Sequence, residues 1–254
     1  MTELGVTFGL LVTGVGEGKF LPKLFQSLRN VGPFRFEVIR KIEQLRPRSS
    51  PPPQGLVMPS GKIPLPTRDE ELGLWVRGYV QTAPNRVVMV IDDLEFDWKD
   101  KAAETFSRYR LAIDTIVKDT KMQRRASVHF LVMMLEAYFF ADSKAVNEAL
   151  GAEVLVSNFT DDVESIRHPK GELKQKFHGY DEVRDGDEII GRLNVEHVLS
   201  NPQTCASLRT LFAWCVEAIL EFYPEFQGQF PDYKLEDGIQ FSVTNGQLTA
   251  LKRN

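Results

Sequence analysis

The chain has few cysteines, no surplus of basic charge and no long apolar run. Only Cys205 and Cys215 occur among 254 residues, ten apart in a helical pattern with no Cys-x-x-Cys pair. That argues against a disulfide framework and a thiolate zinc site, and leaves two semi-buried thiols. His129, His178 and His197 share no metal-ligand spacing with one another or with cysteine, so they read as structural. Lys and Arg number 31 against 35 Asp and Glu, a formal charge of -4, which excludes coating of nucleic acid by bulk charge. Any nucleic-acid contact is therefore local. The apolar runs, Leu10 to Val12 and Phe130 to Leu135 among them, fall far short of the ~20 residues a bilayer helix needs, and no basic-apolar-small leader opens the chain. The expectation is a soluble, cytoplasmic protein without membrane contact. At 43% hydrophobic and 26% charged residues, composition is that of a globular chain and not of a rod, stalk or disordered tail.

What is present is an alternation of strand and helix patterns. Gly5 to Val12 is a short β-prone run, followed by the glycine-bearing turn Thr13 to Gly18 and a helical stripe of Phe20, Leu21, Leu24, Phe25 and Leu28. Phe36 to Ile42 is a second candidate strand. Arg46 to Thr67 holds seven of the 14 prolines and no acid, and reads as a spacer loop whose Arg46, Arg48 and Lys62 could touch phosphate. A helix from Asp69 to Val80 precedes Arg86 to Ile91, a β-branched run suited to a parallel sheet buried on both faces, which ends at Asp92. Ala102, Phe106, Tyr109, Ile113 and Val117 mark a long helix closed by Lys118, Lys121, Arg124 and Arg125. Ser127 to Met133 is a further strand, running into a helical pattern that Asp142 is expected to end. This alternation implies an α/β core over residues 1–150 with a mostly parallel sheet flanked by helices. After Gly151 the pattern is mainly helical, so residues 151–254 read as an appendage packed on the core, with helices at Glu172 to His178 and Leu208 to Phe222. A small hairpin is expected within Asp237 to Leu251, through Asn245-Gly246.

Asp92-Asp93-Leu94-Glu95 is the sharpest chemical signal, because ligands bind at the carboxyl ends of strands in open parallel sheets. Asp92, Asp93 and Glu95 offer hard oxygens of the kind Mg²⁺ or Mn²⁺ takes, and an ion would relieve their mutual repulsion. The bland alternative is that Asp93 and Glu95 cap the next helix. Gly14, Gly16 and Gly18 invite a phosphate-loop reading, but Phe20 stands where a Walker A loop needs a hydroxyl, and the spacing misses the dinucleotide fingerprint. The turn instead offers backbone amides, Glu17 as a carboxylate and Lys19 as a cation. Glu136 lies inside the apolar run Leu131 to Phe140, where a charge calls for a metal or basic partner unless it faces solvent on an amphipathic helix. Lys170, in His168-Pro169-Lys170, could reach a phosphate or simply stay solvated.

The strand and glycine turn, the paired Asp, the run Leu135 to Asp142, Pro169-Lys170 with Leu173, and Cys205 to Leu211 (CASLRTL) together resemble the Toprim-like domain-of-unknown-function 4276 family. The likeness spans roughly Gly5 to Leu220 in short motifs. It implies a Toprim-like sheet, related to the nuclease domains of overcoming-lysogenisation-defect proteins, and Mg²⁺ or Mn²⁺ as cofactor. Position by position, it implies Asp92 as the first strand-end aspartate, with Asp93 or less closely Glu95 completing the acidic pair. Glu136 matches the family's later acid, and Glu17 a second acid of the turn. Thr13 stands where related sequences have Glu, which puts activity in doubt unless Glu17 substitutes. The implied function is a metal-dependent nuclease or nicking enzyme acting on nucleic acid, DNA foremost, in anti-phage defence. Asp92, Asp93, Glu136 and Glu95 would be metal ligands, Glu17 and Asp92 catalytic groups, and Lys19 and Lys170 phosphate contacts. The alternative is an inactive Toprim-like subunit that docks an ABC-type ATPase, with homo-oligomers possible in either case.

Overall fold

The computed structural model describes residues 5–46, 67–151, 156, 157 and 159–233. The body of the proline-rich segment, including Arg48 and Lys62, and the expected hairpin at Asp237 to Leu251 lie outside them. Among the described residues four strands form one sheet: β1 (Thr7–Val12), β2 (Arg35–Lys41), β3 (Arg86–Leu94) and β4 (Ala126–Val132). All pairings are parallel and the order is β2-β1-β3-β4. The helices are α1 (Val15–Leu24), α2 (Gln26–Val31), α3 (Thr67–Val80), α4 (Ala102–Ile116), α5 (Thr120–Gln123), α6 (Ser143–Ala149), α7 (Pro169–Lys176), α8 (Arg184–Arg192), α9 (Val195–Ser200) and α10 (Ala206–Phe222). Short 3-10 turns cover Phe96–Lys101 and Leu135–Ala141.

Strand periodicity divides the core in two. Phe8, Leu10 and Val12 of β1, Val87, Met89 and Ile91 of β3, and Leu131 of β4 face one layer, built from α1, α2 and the C-terminal helices. Leu11, Val88, Val90, Leu94, Val128, Phe130 and Val132 face the other, built from α3 and α4. The C-terminal region thus shares a hydrophobic cluster with the sheet. Trp214 of α10 meets Phe8 edge-on at 6.2 Å, Phe212 lies 5.3 Å from Phe25, and Cys215 Sγ is 3.5 Å from Met89 Sδ. Leu208, Leu211 and Phe212 are fully buried, each stabilising the fold by about 1.5–3 kcal/mol. Both cysteines are buried free thiols. No helix among the described residues is long and apolar enough to cross a membrane.

Several boundaries differ from the sequence expectation. β3 does not end at Asp92 but continues to Leu94, where Asp93 and Leu94 pair with Leu131 and Val132. The stripe from Phe20 to Leu28 breaks into α1 and α2 at Phe25, three residues after Pro22, which has no amide to give the helix. The basic residues expected to close α4 fall beyond its end at Ile116, around α5, whose cap Asp119 accepts the Lys121 and Met122 amides at 2.7 and 3.2 Å. Asp142 ends the 3-10 turn Leu135–Ala141, as expected, and also opens the next helix: its Oδ1 accepts the Ala145 amide of α6 at 3.1 Å and its Oδ2 the Asn194 amide at 3.0 Å.

Candidate functional site

β1 has β2 on one side and β3 on the other, so the chain order reverses between β1 and β3. In an open parallel sheet a ligand crevice forms at that reversal, outside the carboxyl ends of the strands. Thr13 follows β1 there, and Asp92 and Asp93 lie within the last three residues of β3. The glycine turn and the twin aspartates meet: Thr13 Oγ1 donates to Asp92 Oδ1 at 2.8 Å.

The two aspartates do not face one pocket. Because β3 continues through them, strand alternation sends Asp92 toward the α3 and α4 layer and Asp93 toward the α1 layer. Asp92 is 3% exposed and held by three neutral donors: Thr13, the Gln44 amide at 2.9 Å, and the Tyr109 hydroxyl of α4 at 2.9 Å on Oδ2. Tyr109 in turn accepts the Leu45 amide at 3.0 Å. Burial raises the Asp92 carboxyl above its ordinary value, although each of those bonds pulls it down. Leu94, the next residue on that face, is buried among apolar side chains.

Asp93 joins a separate carboxylate cluster. Its side chain is half-buried, but its Oδ1 is out of reach of water and has no hydrogen-bond partner. Glu17, in the first turn of α1, is 6% exposed, and its Oε2 is likewise buried and unpartnered. Burial pushes Asp93 well above its ordinary pKa, and the adjoining Glu17 carboxylate, then Glu136 and Asp92, push it further. Gly14 makes room for this arrangement, since a Cβ there would fall 1.7 Å from Glu17 Oε2. Glu136 arrives by a sharp turn out of β4: Met133 and Met134 both have left-handed backbone, with φ of 59° and 71°. Non-glycine residues hold that conformation at a cost of about 1–3 kcal/mol each, and such strain concentrates at functional sites. Of the readings offered for Glu136, the solvent-facing one does not hold: it is buried in a 3-10 turn and has a basic neighbour, Lys170 Nζ, 3.5 Å from its Oε1. Burial raises the Glu136 carboxyl while Lys170 lowers it.

Lys170 also pairs with Glu182 at 3.2 Å, which Lys174 approaches at 2.7 Å. Burial lowers the Lys170 ammonium, but Glu136 and Glu182 outweigh it and raise it. The buried Tyr180 has a hydroxyl with no hydrogen-bond partner, beside the charges of Glu136 and Glu182, and burial and those charges raise its pKa. Two expected residues fall outside the cluster. Lys19 binds Asp187 of α8 at 3.6 Å and the Val183 carbonyl at 3.3 Å. Glu95 is exposed, 4.0 Å from Arg46, and precedes the 3-10 turn without capping it. Gln44, Tyr109, Tyr180 and Glu182 were not anticipated from the sequence. Tyr109 alone had a signal there, as part of the α4 stripe. His129 is a buried neutral base, its pKa lowered to about 3 by burial, 2.9 Å from Ser127 Oγ.

Among the described residues no three carboxylates, histidines or cysteines are arranged to hold a metal ion as they stand. The fit of Mg²⁺ or Mn²⁺ rests on fewer groups. Mg²⁺ commonly takes one or two carboxylates and fills its octahedron with water and substrate phosphate. Glu17 and Asp93, which adjoin and each keep one buried hard oxygen without a hydrogen-bond partner, are such a pair, and Glu136 adds negative charge beside them. Asp92 does not fit the same ion, because both its oxygens are engaged on the opposite face. The arrangement can concentrate a cation over Asp93 and place the cationic Lys170 next to it. No protein-family model matches the chain, and no curated protein or solved structure matches it either.

Proposed function

We propose that the chain is a Mg²⁺- or Mn²⁺-dependent phosphodiester hydrolase, a nuclease or nicking enzyme with its site at the carboxyl edge of β1 and β3. The observation that carries the reading is the pair of buried, unpartnered oxygens Glu17 Oε2 and Asp93 Oδ1 at the strand-order reversal. The Glu17 carboxylate adds its repulsion to the burial that raises Asp93, and a divalent cation would remove that cost. Glu17 and Asp93 would hold the ion, with Glu136 beside them. When bound, such an ion polarises a phosphoryl oxygen and lowers the pKa of a water. Lys170 faces the substrate phosphate, steadied by Glu136 and Glu182. Glu17, beside Asp93 in the first turn of α1, is also the carboxylate placed to move a proton at the scissile phosphate. Asp92 orients the site by fixing Thr13, Gln44 and Tyr109. Resemblance alone carries the further reading of an anti-phage effector.

The test is plasmid nicking with Mn²⁺ by the purified chain, beside Glu17→Gln and Asp93→Asn. Cleavage by the parent and its loss in both variants supports the hydrolase. Equal cleavage by parent and variants discards this site. A second reading, a non-catalytic subunit docking an ATPase, is favoured by Thr13, whose hydroxyl serves Asp92 where related sequences have a carboxylate. Absence of cleavage with either metal, together with capture of an ATPase partner, selects it.

A further inference from the structure

The turn after β3 brings cations onto aromatic rings. Phe96 comes three residues after Asp93 and its side chain is 43% exposed. The Arg167 guanidinium lies over its ring at 4.2 Å, and Arg167 is itself exposed, three residues before Lys170. Trp98, two residues on, is half-buried and carries the Arg46 guanidinium at 4.6 Å and the Lys101 ammonium at 5.1 Å. Three separate chain segments converge here: the exit of β2, the turn after β3 and the loop before α7. Lys101 and Arg167 have no carboxylate partner among the described residues, whereas Arg46 stands 4.0 Å from Glu95. Asp97 and Asp100 also lie on the turn, so the patch is not a bulk positive field. Its cations are instead positioned individually by the rings.

A base-paired duplex hides its base faces in the stack and presents phosphates, sugars and base edges, none of which stacks on a ring. A flat ring with partial exposure beside fixed cations suits an unpaired strand, whose bases stack on aromatics and guanidinium planes while its phosphates meet the charges. We infer that Phe96, Trp98, Arg46, Lys101 and Arg167 form a platform for single-stranded nucleic acid that delivers the strand to the edge where Asp93 and Lys170 stand. The platform supplies the substrate class of the proposed hydrolase, and rests on that reading for the cleavage step alone. Binding itself requires no metal.

The experiment uses the full chain in EDTA and fluorescence anisotropy with labelled oligo-dT, oligo-rU and a DNA duplex of equal length. At least one single strand is expected to bind tenfold or more tightly than the duplex, and the dT and rU arms identify its sugar. Phe96→Ala is expected to weaken that binding about fivefold or more, the loss of one stacked base, while Phe96→Tyr retains it. Arg167→Gln is expected to reduce the salt slope by about 0.7, one phosphate contact on a single strand. Both positions are exposed, so neither change threatens folding. No preference for single strands, or affinity indifferent to Phe96→Ala and Arg167→Gln, overturns the inference. Platform-dependent binding without Mn²⁺ cleavage upholds the platform and removes the hydrolase. Cleavage with platform-independent binding does the reverse.

Discussion

Thr13 Oγ1 donates to Asp92 Oδ1 at 2.8 Å and stands 3.5 Å from the Asp93 amide nitrogen, so one hydroxyl ties the end of β1 to the end of β3. Thr13→Val removes a donor from a buried carboxylate and is expected to destabilise the fold by about 1–3 kcal/mol, with Thr13→Ser closer to the parent. Denaturant midpoints at constant m-value check this. A Thr13→Val protein as stable as the parent would mean that Gln44 and Tyr109 suffice for Asp92.

Gly14→Ala acts on a neighbour more than on the backbone. Gly14 has φ -105° and ψ 162°, which alanine adopts freely, but its Cβ would displace the flexible Glu17 carboxylate. The variant is expected to unfold within about 1 kcal/mol of the parent, the range of an unstrained glycine replacement. It should also lose metal-dependent cleavage. Retained cleavage would separate Glu17 from the chemistry.

A cation that binds only the folded chain raises its melting temperature. At one hundred times the dissociation constant, Mn²⁺ contributes about 2.7 kcal/mol, or roughly 5–11 °C for a chain of this size. Scanning fluorimetry is expected to record that rise for the parent and for Glu95→Gln, and to lose it for Asp93→Asn and Glu17→Gln. In EDTA, Asp93→Asn is expected to melt above the parent, since it removes a repelling charge.

Without metal, stability is expected to fall as pH rises through 7. Glu164 is buried against Tyr138 and both the amide and hydroxyl of Ser207, and burial raises its pKa to about 7 from 4.5. The protonated form is favoured in the fold, so its contribution is whole below 4.5 and lost through about 7. Asp92, Asp93 and Glu136 are raised as well and act in the same direction. His129, lowered to about 3 by burial, works the other way up to about pH 6.5, so melting temperatures in EDTA should drop between roughly pH 6.5 and 7.5, and Glu164→Gln should flatten the curve there. A level or rising profile for the parent over that interval contradicts the burial of these acids.

Hydrophobic periodicity made the parallel sheet, α3, α4 and α10 readable, because each buries an unbroken stripe or run. Residue type also marked Glu17, Asp93, Glu136 and Lys170, which the fold brings into one neighbourhood. Reading Asp92-Asp93 as a chelating pair failed on geometry: the strand extends to Leu94, and alternation then parts neighbours. Lys19 could not be placed because its partner Asp187 lies 168 residues away, on a helix whose few apolar positions gave no signal. Gln44 and Tyr180 owe their positions to tertiary packing alone, and no local pattern announces them.

The apolar side of α10 has a practical corollary for anyone dissecting the protein. Phe8, Phe25 and Met89 find their cover in Trp214, Phe212 and Cys215, from the far end of the chain. Cutting after the first 150 residues would bare that surface to water and invite self-association, so a shortened version carrying every acid of the site would report on aggregation instead of activity. Function in this molecule has to be mapped one side chain at a time.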